Sequence, residues 1–239
     1  MTAQTAPKYR RILLKLSGEA ISAGKEGIYD YDLIDRICAV VGQCVKEGVQ
    51  VGIVIGAGNI WRGARQGVGM DRCRADAMGM LATTMNSLAL KDGFDRAGIR
   101  AKVMTAVEMP AFGELFTKDR AVELMNDGNV VILAGGTGRP YFSTDTAAVL
   151  RAAELDADVV LFAKNIDGVY TADPRKDPTA KKLEEIAYID ILKNGLQVMD
   201  LTAASFGMDA GLTVLVFGLE KPENILRVLR GEKLGTIVH

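Results

Sequence analysis

Three times in this chain an apolar run of strand length ends in a glycine-rich turn that also carries charged or hydroxyl side chains. The first run, Arg11 to Leu16, ends in Ser17-Gly18-Glu19. The second, Val51 to Ile55, ends in Gly56-Ala57-Gly58-Asn59-Ile60-Trp61-Arg62. The third, Val130 to Ala134, ends in Gly135-Gly136-Thr137-Gly138-Arg139-Pro140-Tyr141-Phe142-Ser143-Thr144-Asp145. Glycine at a strand end lets backbone N–H groups approach an anion, and a following helix N-terminus adds positive dipole. Three such turns predict a site for many phosphate oxygens.

The segments alternate between strand and helix. Strands are expected over 9–16, 49–55, 100–105, 129–134, 158–163, 212–217 and 235–238. Helices are expected over 31–47, 74–97, 117–127, 144–155, 198–210 and 222–230. The runs at 129–134 and 158–163 show no polar alternation, as in strands covered on both faces. This pattern predicts a three-layer α/β/α sandwich with a mainly parallel central sheet, built as a single domain over 1–239 with about the first eight residues frayed. Ligands in such sheets sit beyond the carboxyl ends of the strands, where all three turns fall. Met78, Leu81, Met85, Leu88 and Phe94 form a stripe on the long helix that suits a core or an interface.

Several classes are excluded. Net charge is −1, without the basic excess of a nucleic-acid binder. No apolar run approaches the roughly 20 residues of a membrane span, and the N-terminus lacks an apolar signal core, so a cytoplasmic location is expected. Cys38, Cys44 and Cys73 read as reduced thiols. The only histidine is His239, which removes histidine triads and most zinc sites. There is no G-x-x-x-x-G-K-[ST] loop. Both G-x-G pairs lack the third glycine of a dinucleotide fingerprint, with Trp61 and Tyr141 in its place.

The remaining polar residues suit phosphoryl chemistry, each beside a plainer reading. Lys15 would neutralise a transferring phosphoryl group and Ser17 and Gly18 would donate to it, or this is a surface strand end. Gly58 and its neighbours would cradle phosphate while Arg62 offers a planar fork, or this is a tight turn needing small residues. Asp76 would accept from a sugar or base, or caps the long helix. Asp145 would orient Lys15 or hold Mg²⁺-bound water, and Ser143 and Thr144 would bind phosphate or cap a helix. Tyr170 would pack on adenine and Asp173 would accept from its ribose, or they form a turn with a core tyrosine.

Taken together, these segments resemble the amino acid kinase superfamily, and within it the bacterial uridylate kinase branch. The stretches that carry the resemblance include Arg10 to Ala20, Gly56 to Gly63, Gly69 to Arg72 and Asp76 to Asn86. They continue through Gly136 to Ala147, Asp158 to Pro178 and Gly195 to Asp200. The Met-Gly-Met-Leu-Ala-Thr and Asp-Gly-Val-Tyr-Thr-Ala-Asp-Pro stretches are the most specific. The resemblance implies Mg²⁺-dependent transfer from ATP to UMP. It places Lys15, Leu16, Ser17, Gly18, Gly58, Arg62, Asn165, Tyr170 and Asp173 at ATP. It places Ala57, Asp76, Thr137, Gly138, Arg139, Pro140, Tyr141, Phe142, Ser143 and Thr144 at UMP. It assigns Ala20, Ile21, Ser22, Ala23, Gly24 and Lys25 to activation by GTP, with UTP as inhibitor and a homohexamer as the assembly. Ala57 stands where the family commonly has glycine, and Arg139 where it commonly has asparagine. A carboxylate or carbamate kinase would share the ATP half of this pattern, and a nucleotide sensor would share the fold without turnover.

Overall fold

The computed structural model describes residues 7–22, 27–62, 66–172, 174, 176–196 and 198–239. Its strands are β1 (Arg11–Leu16), β2 (Gln50–Ile55), β3 (Ala101–Thr105), β4 (Glu114–Leu115), β5 (Val130–Ala134) and β6 (Val159–Lys164). They continue with β7 (Val169–Tyr170), β8 (Lys182–Leu183), β9 (Glu185–Ile186), β10 (Val214–Gly218) and β11 (Thr236–Val238). The helices are α1 (Tyr31–Lys46), α2 (Arg72–Arg96), α3 (Lys118–Asn126), α4 (Thr144–Glu154), α5 (Tyr188–Asn194), α6 (Leu201–Asp209) and α7 (Asn224–Leu229). Every element expected from the sequence is present, with ends displaced by at most three residues. The unforeseen pieces are the short strands β4, β7, β8 and β9, the helix α5 and a 3-10 turn over Gly18–Ile21. They are too short for periodicity to register.

Nine strands form one sheet in the order β4-β3-β5-β2-β1-β6-β10-β11-β9. All neighbours are parallel except β10 and β11. β7 and β8 make a separate antiparallel ribbon. From β1 the chain builds outward to one side through β2, then crosses by α4 to β6 on the other side. The carboxyl end of β1 is therefore a topological switch point, the position where parallel sheets open a crevice.

Side-chain alternation divides the sheet into two covered faces. Ile12, Leu14 and Leu16 of β1 pack with Ile34 and Ile37 of α1, Leu90 and Phe94 of α2, and Ile225 and Val228 of α7. Leu13 of β1 and Val160 and Phe162 of β6 pack on the opposite side, with α3, α4, α5 and α6. This is the expected three-layer sandwich. Cys38 and Cys44 are buried and Cys73 is exposed, all as free thiols. Burial pushes the Cys38 and Cys44 thiols up to about 12, which leaves them inert. Among the described residues, no helix is long and apolar enough to cross a membrane.

One stripe points the other way from its simplest reading. Met78, Leu81, Met85 and Leu88 are exposed, and only Phe94 of that set is buried. The inward face of α2 is instead Ala75, Ala82, Thr83, Asn86, Ser87, Leu90 and Phe94. Thr83 and Asn86 on this face meet backbone atoms of the turns. Of the two readings of the apolar stripe, core or interface, its exposed members rule out the core. Leu90 and Phe94 supply the apolar anchor of α2. Phe94→Ala should lower stability by about 3–5 kcal/mol, read as a fall in urea midpoint with little change in slope. A midpoint within experimental scatter of wild type would show that α2 is held by its polar contacts alone.

Candidate active site

The site begins from the twofold period of the strands. Lys15 follows Leu13 by two residues and shares its face; Lys164 follows Phe162 in the same way. β1 and β6 are adjacent and parallel, with Lys15 opposite Phe162. Both lysines thus point to the α4 side of the sheet at neighbouring strand ends. Their ammonium groups flank the Phe162 ring, 5.8 Å (Lys15) and 5.2 Å (Lys164) from its centroid. Asp145, in the first turn of α4, lies between them. Lys15 Nζ is 2.6 Å from Asp145 Oδ1, and Lys164 Nζ donates to Oδ2 at 3.2 Å. Lys164 also donates to the Val198 carbonyl.

Two cations share one carboxylate, and the titration of Asp145 and Lys164 reflects this. Burial alone pushes the Asp145 carboxyl up, but the adjacent Lys15 and Lys164 charges outweigh it and hold it below its ordinary 3.8. Burial pulls the Lys164 ammonium below its ordinary value, and Asp145 offsets part of that. The cluster carries a net positive charge in a sheltered position, suited to an incoming anion. Lys164 carried no assignment in the sequence reading. The signal was present: it ends β6 as Lys15 nearly ends β1, on the same alternation.

α2 fixes the second turn and the third. Asn86 is fully buried, and its Nδ2 donates to the Gly56 carbonyl at 2.7 Å. The same amide exchanges hydrogen bonds with Asn59, at 2.8 and 3.1 Å. Thr83 Oγ1 accepts from the Gly135 N–H at 3.0 Å. The β1 and β2 turns also touch. A Cβ on Gly18 would stand 2.5 Å from Asn59 Oδ1 and 2.6 Å from the Gly56 carbonyl oxygen, so the approach requires glycine. Ala57 does not adopt positive φ, so its methyl group is accommodated without backbone strain.

The third turn is built differently. Gly135, Gly136 and Gly138 have φ of 80°, 59° and 73°, and Tyr141 joins them at 72°. A non-glycine residue in this region costs about 1–3 kcal/mol and needs support. Here the Tyr141 N–H donates to Asp76 Oδ2 at 2.7 Å, while Arg72 Nε donates to the same oxygen at 2.8 Å. Asp76 is therefore not the cap of the long helix; Asp71 is, accepting from Arg74 N. Ser143 caps α4, accepting from Asp145 N and Thr146 N. Asp200 caps α6 and accepts from the hydroxyls of Ser143 and Thr146, joining two helix starts. Asp200, Asn86 and Thr83 also went unassigned in the sequence, because the partners that tie them into the site lie 27 or more residues away and leave no local pattern.

Two clefts meet at this junction. One, of about 540 Å³, is lined by Lys15, Ser17, Lys164, Asn165, Tyr170 and Pro174 among others. The other, of about 190 Å³, is lined by Ala57, Trp61, Asp76, Thr83, Thr137, Arg139, Phe142, Ser143 and Thr144 among others. Gly56 stands between them, its position 3.3 Å from both Gly18 N and Thr144 Oγ1 if a Cβ were added. Gly138, Pro140 and Tyr141 shape the third turn without lining either cleft, and Leu16 is buried in the core. Gly18 and Gly58 form the turns beneath. Arg62 is paired with Glu19 and its Nε donates to the Gly58 carbonyl at 3.3 Å, so its fork is turned to the first turn. Tyr170 lies on the cleft wall with its hydroxyl donated to Asp167 at 2.8 Å, not in the core. Ala20 and Ile21 are buried in the 3-10 turn, and Ser22 ends it. Ala23, Gly24, Lys25 and Asp173 lie outside the described residues.

Sheet order, switch-point cleft and a lysine pair around one acid define a phosphotransferase of the α/β class. The amino acid kinase family profile matches residues 10–218. The chain belongs to the amino acid kinase family. Among solved structures it is similar to the UMP kinase of Bacillus anthracis, at 35% identity over 97% of this chain and 96% of that one, with a TM-score of 0.92. The UMP kinase of Ureaplasma parvum is also 35% identical, over 97% and 99% of the two chains, with a TM-score of 0.90. The uridylate kinase of Archaeoglobus fulgidus is 27% identical over 95% and 99%, with a TM-score of 0.74.

Because the Asp145 carboxyl is held low in the folded chain, its stabilising effect is complete above the ordinary 3.8 and is lost as pH falls through the lower folded-state value. Asp145→Asn should cost about 3–5 kcal/mol at pH 7, since it leaves two ammonium groups without their counter-charge. The gap from wild type should narrow only at pH below 3.8. Urea titrations across this range check it, and a deficit constant with pH would mean the carboxylate charge is not what matters.

Proposed function

We propose that this chain transfers the γ-phosphoryl group of ATP to the 5′-phosphate of UMP, giving UDP and ADP. The observation that carries the reading is the Lys15–Asp145–Lys164 cluster at the meeting point of a large cleft and a small one. A donor nucleotide in the larger cleft and an acceptor in the smaller would bring their phosphates together there. Similarity to UMP kinases over nearly the whole chain supports UMP as the acceptor.

The acceptor atom is a phosphate oxygen, ionised at neutral pH, so no general base is required. That suits a chain whose only histidine is its last residue. Catalysis then rests on positioning and on charge neutralisation. In this reading Lys15 and Lys164 neutralise the phosphoryl group in flight, and Asp145 holds both in place. N–H groups of the Ser17-Gly18 and Gly56-Ala57-Gly58 turns bind phosphate. Arg62 turns from Glu19 to the phosphates. Asn165, Tyr170 and Asp173 serve the adenosine side. Asp76, with Thr137 to Thr144, serves the uridine side.

Mg²⁺ fits as a cation carried mainly by the nucleotide. Asp145 Oδ1 is buried and, although Lys15 Nζ lies 2.6 Å away, no donor meets it in hydrogen-bond geometry, which leaves a lone pair for a metal's water shell. No group of three or more acidic, histidine or cysteine side chains among the described residues forms a cage. One carboxylate plus substrate phosphates is a usual Mg²⁺ arrangement. When bound, the ion would draw off charge from the β- and γ-phosphates. We further assign residues 20–25 to activation by GTP, with UTP as inhibitor, in a homohexamer acting on the cytoplasmic nucleotide pool.

ADP release, followed with ATP and Mg²⁺, should occur with UMP and not with aspartate, acetylglutamate or carbamate. Turnover with a carboxylate or carbamate instead would overturn the acceptor and keep the donor. Chelating Mg²⁺ with excess EDTA should abolish turnover. Lys15→Ala should lower kcat roughly 100-fold or more, the scale of losing one transition-state donor. Near-normal kcat in that variant would remove Lys15 from the chemistry.

A further inference from the structure

We infer that Trp61 is the end wall of the acceptor pocket and limits it to a single-ring base, an inference that rests on the UMP reading above. α2 runs the length of this pocket. At one end Asn86 holds Gly56, beside the phosphate junction. One turn on, Thr83 holds Gly135. Eleven residues from Asn86 stands Ala75, roughly 16 Å away at the rise of an α-helix. There the Trp61 indole Nε1–H donates to the Ala75 carbonyl at 2.7 Å. The carbonyl is one that helix geometry would otherwise offer to Gly79.

The indole is fixed at both ends. Its own backbone N–H closes the second turn by donating to the Ala57 carbonyl at 2.9 Å. Its edge lies over Gly79, where even an added Cβ would reach only ordinary contact, 3.7 Å from Trp61 Cδ1. Trp61 therefore turns the Cδ1–Nε1 edge of its indole to the helix and lines this cleft together with Asp76. The volume left is about 190 Å³, against about 540 Å³ in the neighbouring cleft. The smaller cleft favours a six-membered ring over a fused purine, which would crowd the indole. Nothing in this argument makes Trp61 act on the reacting atoms. It acts on which acceptor reaches them.

Trp61 is the only tryptophan of the chain, so its emission reports directly on the pocket. The first test is a fluorescence titration of the wild-type enzyme with UMP alone and with ATP alone. UMP is expected to change the emission at the concentrations that support turnover, and ATP to leave it nearly unchanged. The second compares kcat/KM for AMP and UMP as acceptors. Trp61→Ala should raise the AMP-to-UMP ratio at least tenfold, within the range that pocket size commands. Trp61→Phe, which keeps a ring but loses the indole N–H, should stay near the wild-type ratio. An emission blind to UMP, or a ratio unmoved in Trp61→Ala, overturns the inference. Should Trp61→Ala fail to fold, the wild-type titration and the Trp61→Phe ratio still decide it. If UMP supports turnover while these readouts are silent, only the role of Trp61 falls. If the wild type turns over no UMP at all, the acceptor reading falls and takes this inference with it.

Discussion

One carboxylate shared by two lysines is the interaction on which the rest of this structure turns. Asp145 is the carboxylate that pairs with both Lys15 and Lys164 where they stand side by side in a sheltered crevice. Without it, burial and mutual repulsion would drive one ammonium to lose its proton. With it, the cluster keeps a surplus positive charge. The surplus is aimed where two clefts meet, and the three glycine turns supply neutral donors around it. In the proposed function the charges are few and backbone N–H groups do most of the anion recognition.

The second organising element is α2. Its inner face is unusual for a long core helix, since Thr83 and Asn86 sit between its apolar anchors. Those two side chains replace what would be apolar contacts with hydrogen bonds to turn backbone. The second and third turns are thus referenced to the same rigid rod, and the first packs on the second, so their separation does not depend on loop stiffness. The third turn adds a strained residue, Tyr141, held by Asp76 from the same helix. Asp200 does comparable service on the other side, by joining the starts of α4 and α6.

Much of this was legible from residue order. Strand ends, helix spans and the layer order followed from apolar runs and glycine stops, because those signals are local. Lys15 was found because charged residues at the ends of buried strands are rare, and Asp145 and the turns because glycine-rich strand ends lead into helix starts. The stripe Met78, Leu81, Met85 and Leu88 of α2 was left between core and interface because both share one period, and its exposure removes the core. Asn86 and Asp200 were missed because a buried amide or acid is meaningful only once its partner is known. Arg62 was placed at phosphate by its chemistry, while the fold pairs it with Glu19.

The register of β1 against β6 carries a further consequence. The two ammonium groups issue from adjacent strands, so their spacing is set by the distance between hydrogen-bonded strands, about 4.8 Å, and by the pleat. A loop can lengthen or shorten in a lineage without disturbing that spacing. A single inserted or deleted residue inside β1 or β6 cannot be absorbed so easily, because it turns the lysine to the opposite face of the sheet, away from Asp145. Tolerance to insertions should therefore change abruptly along the chain, permissive in the connections and almost nil within these two six-residue segments.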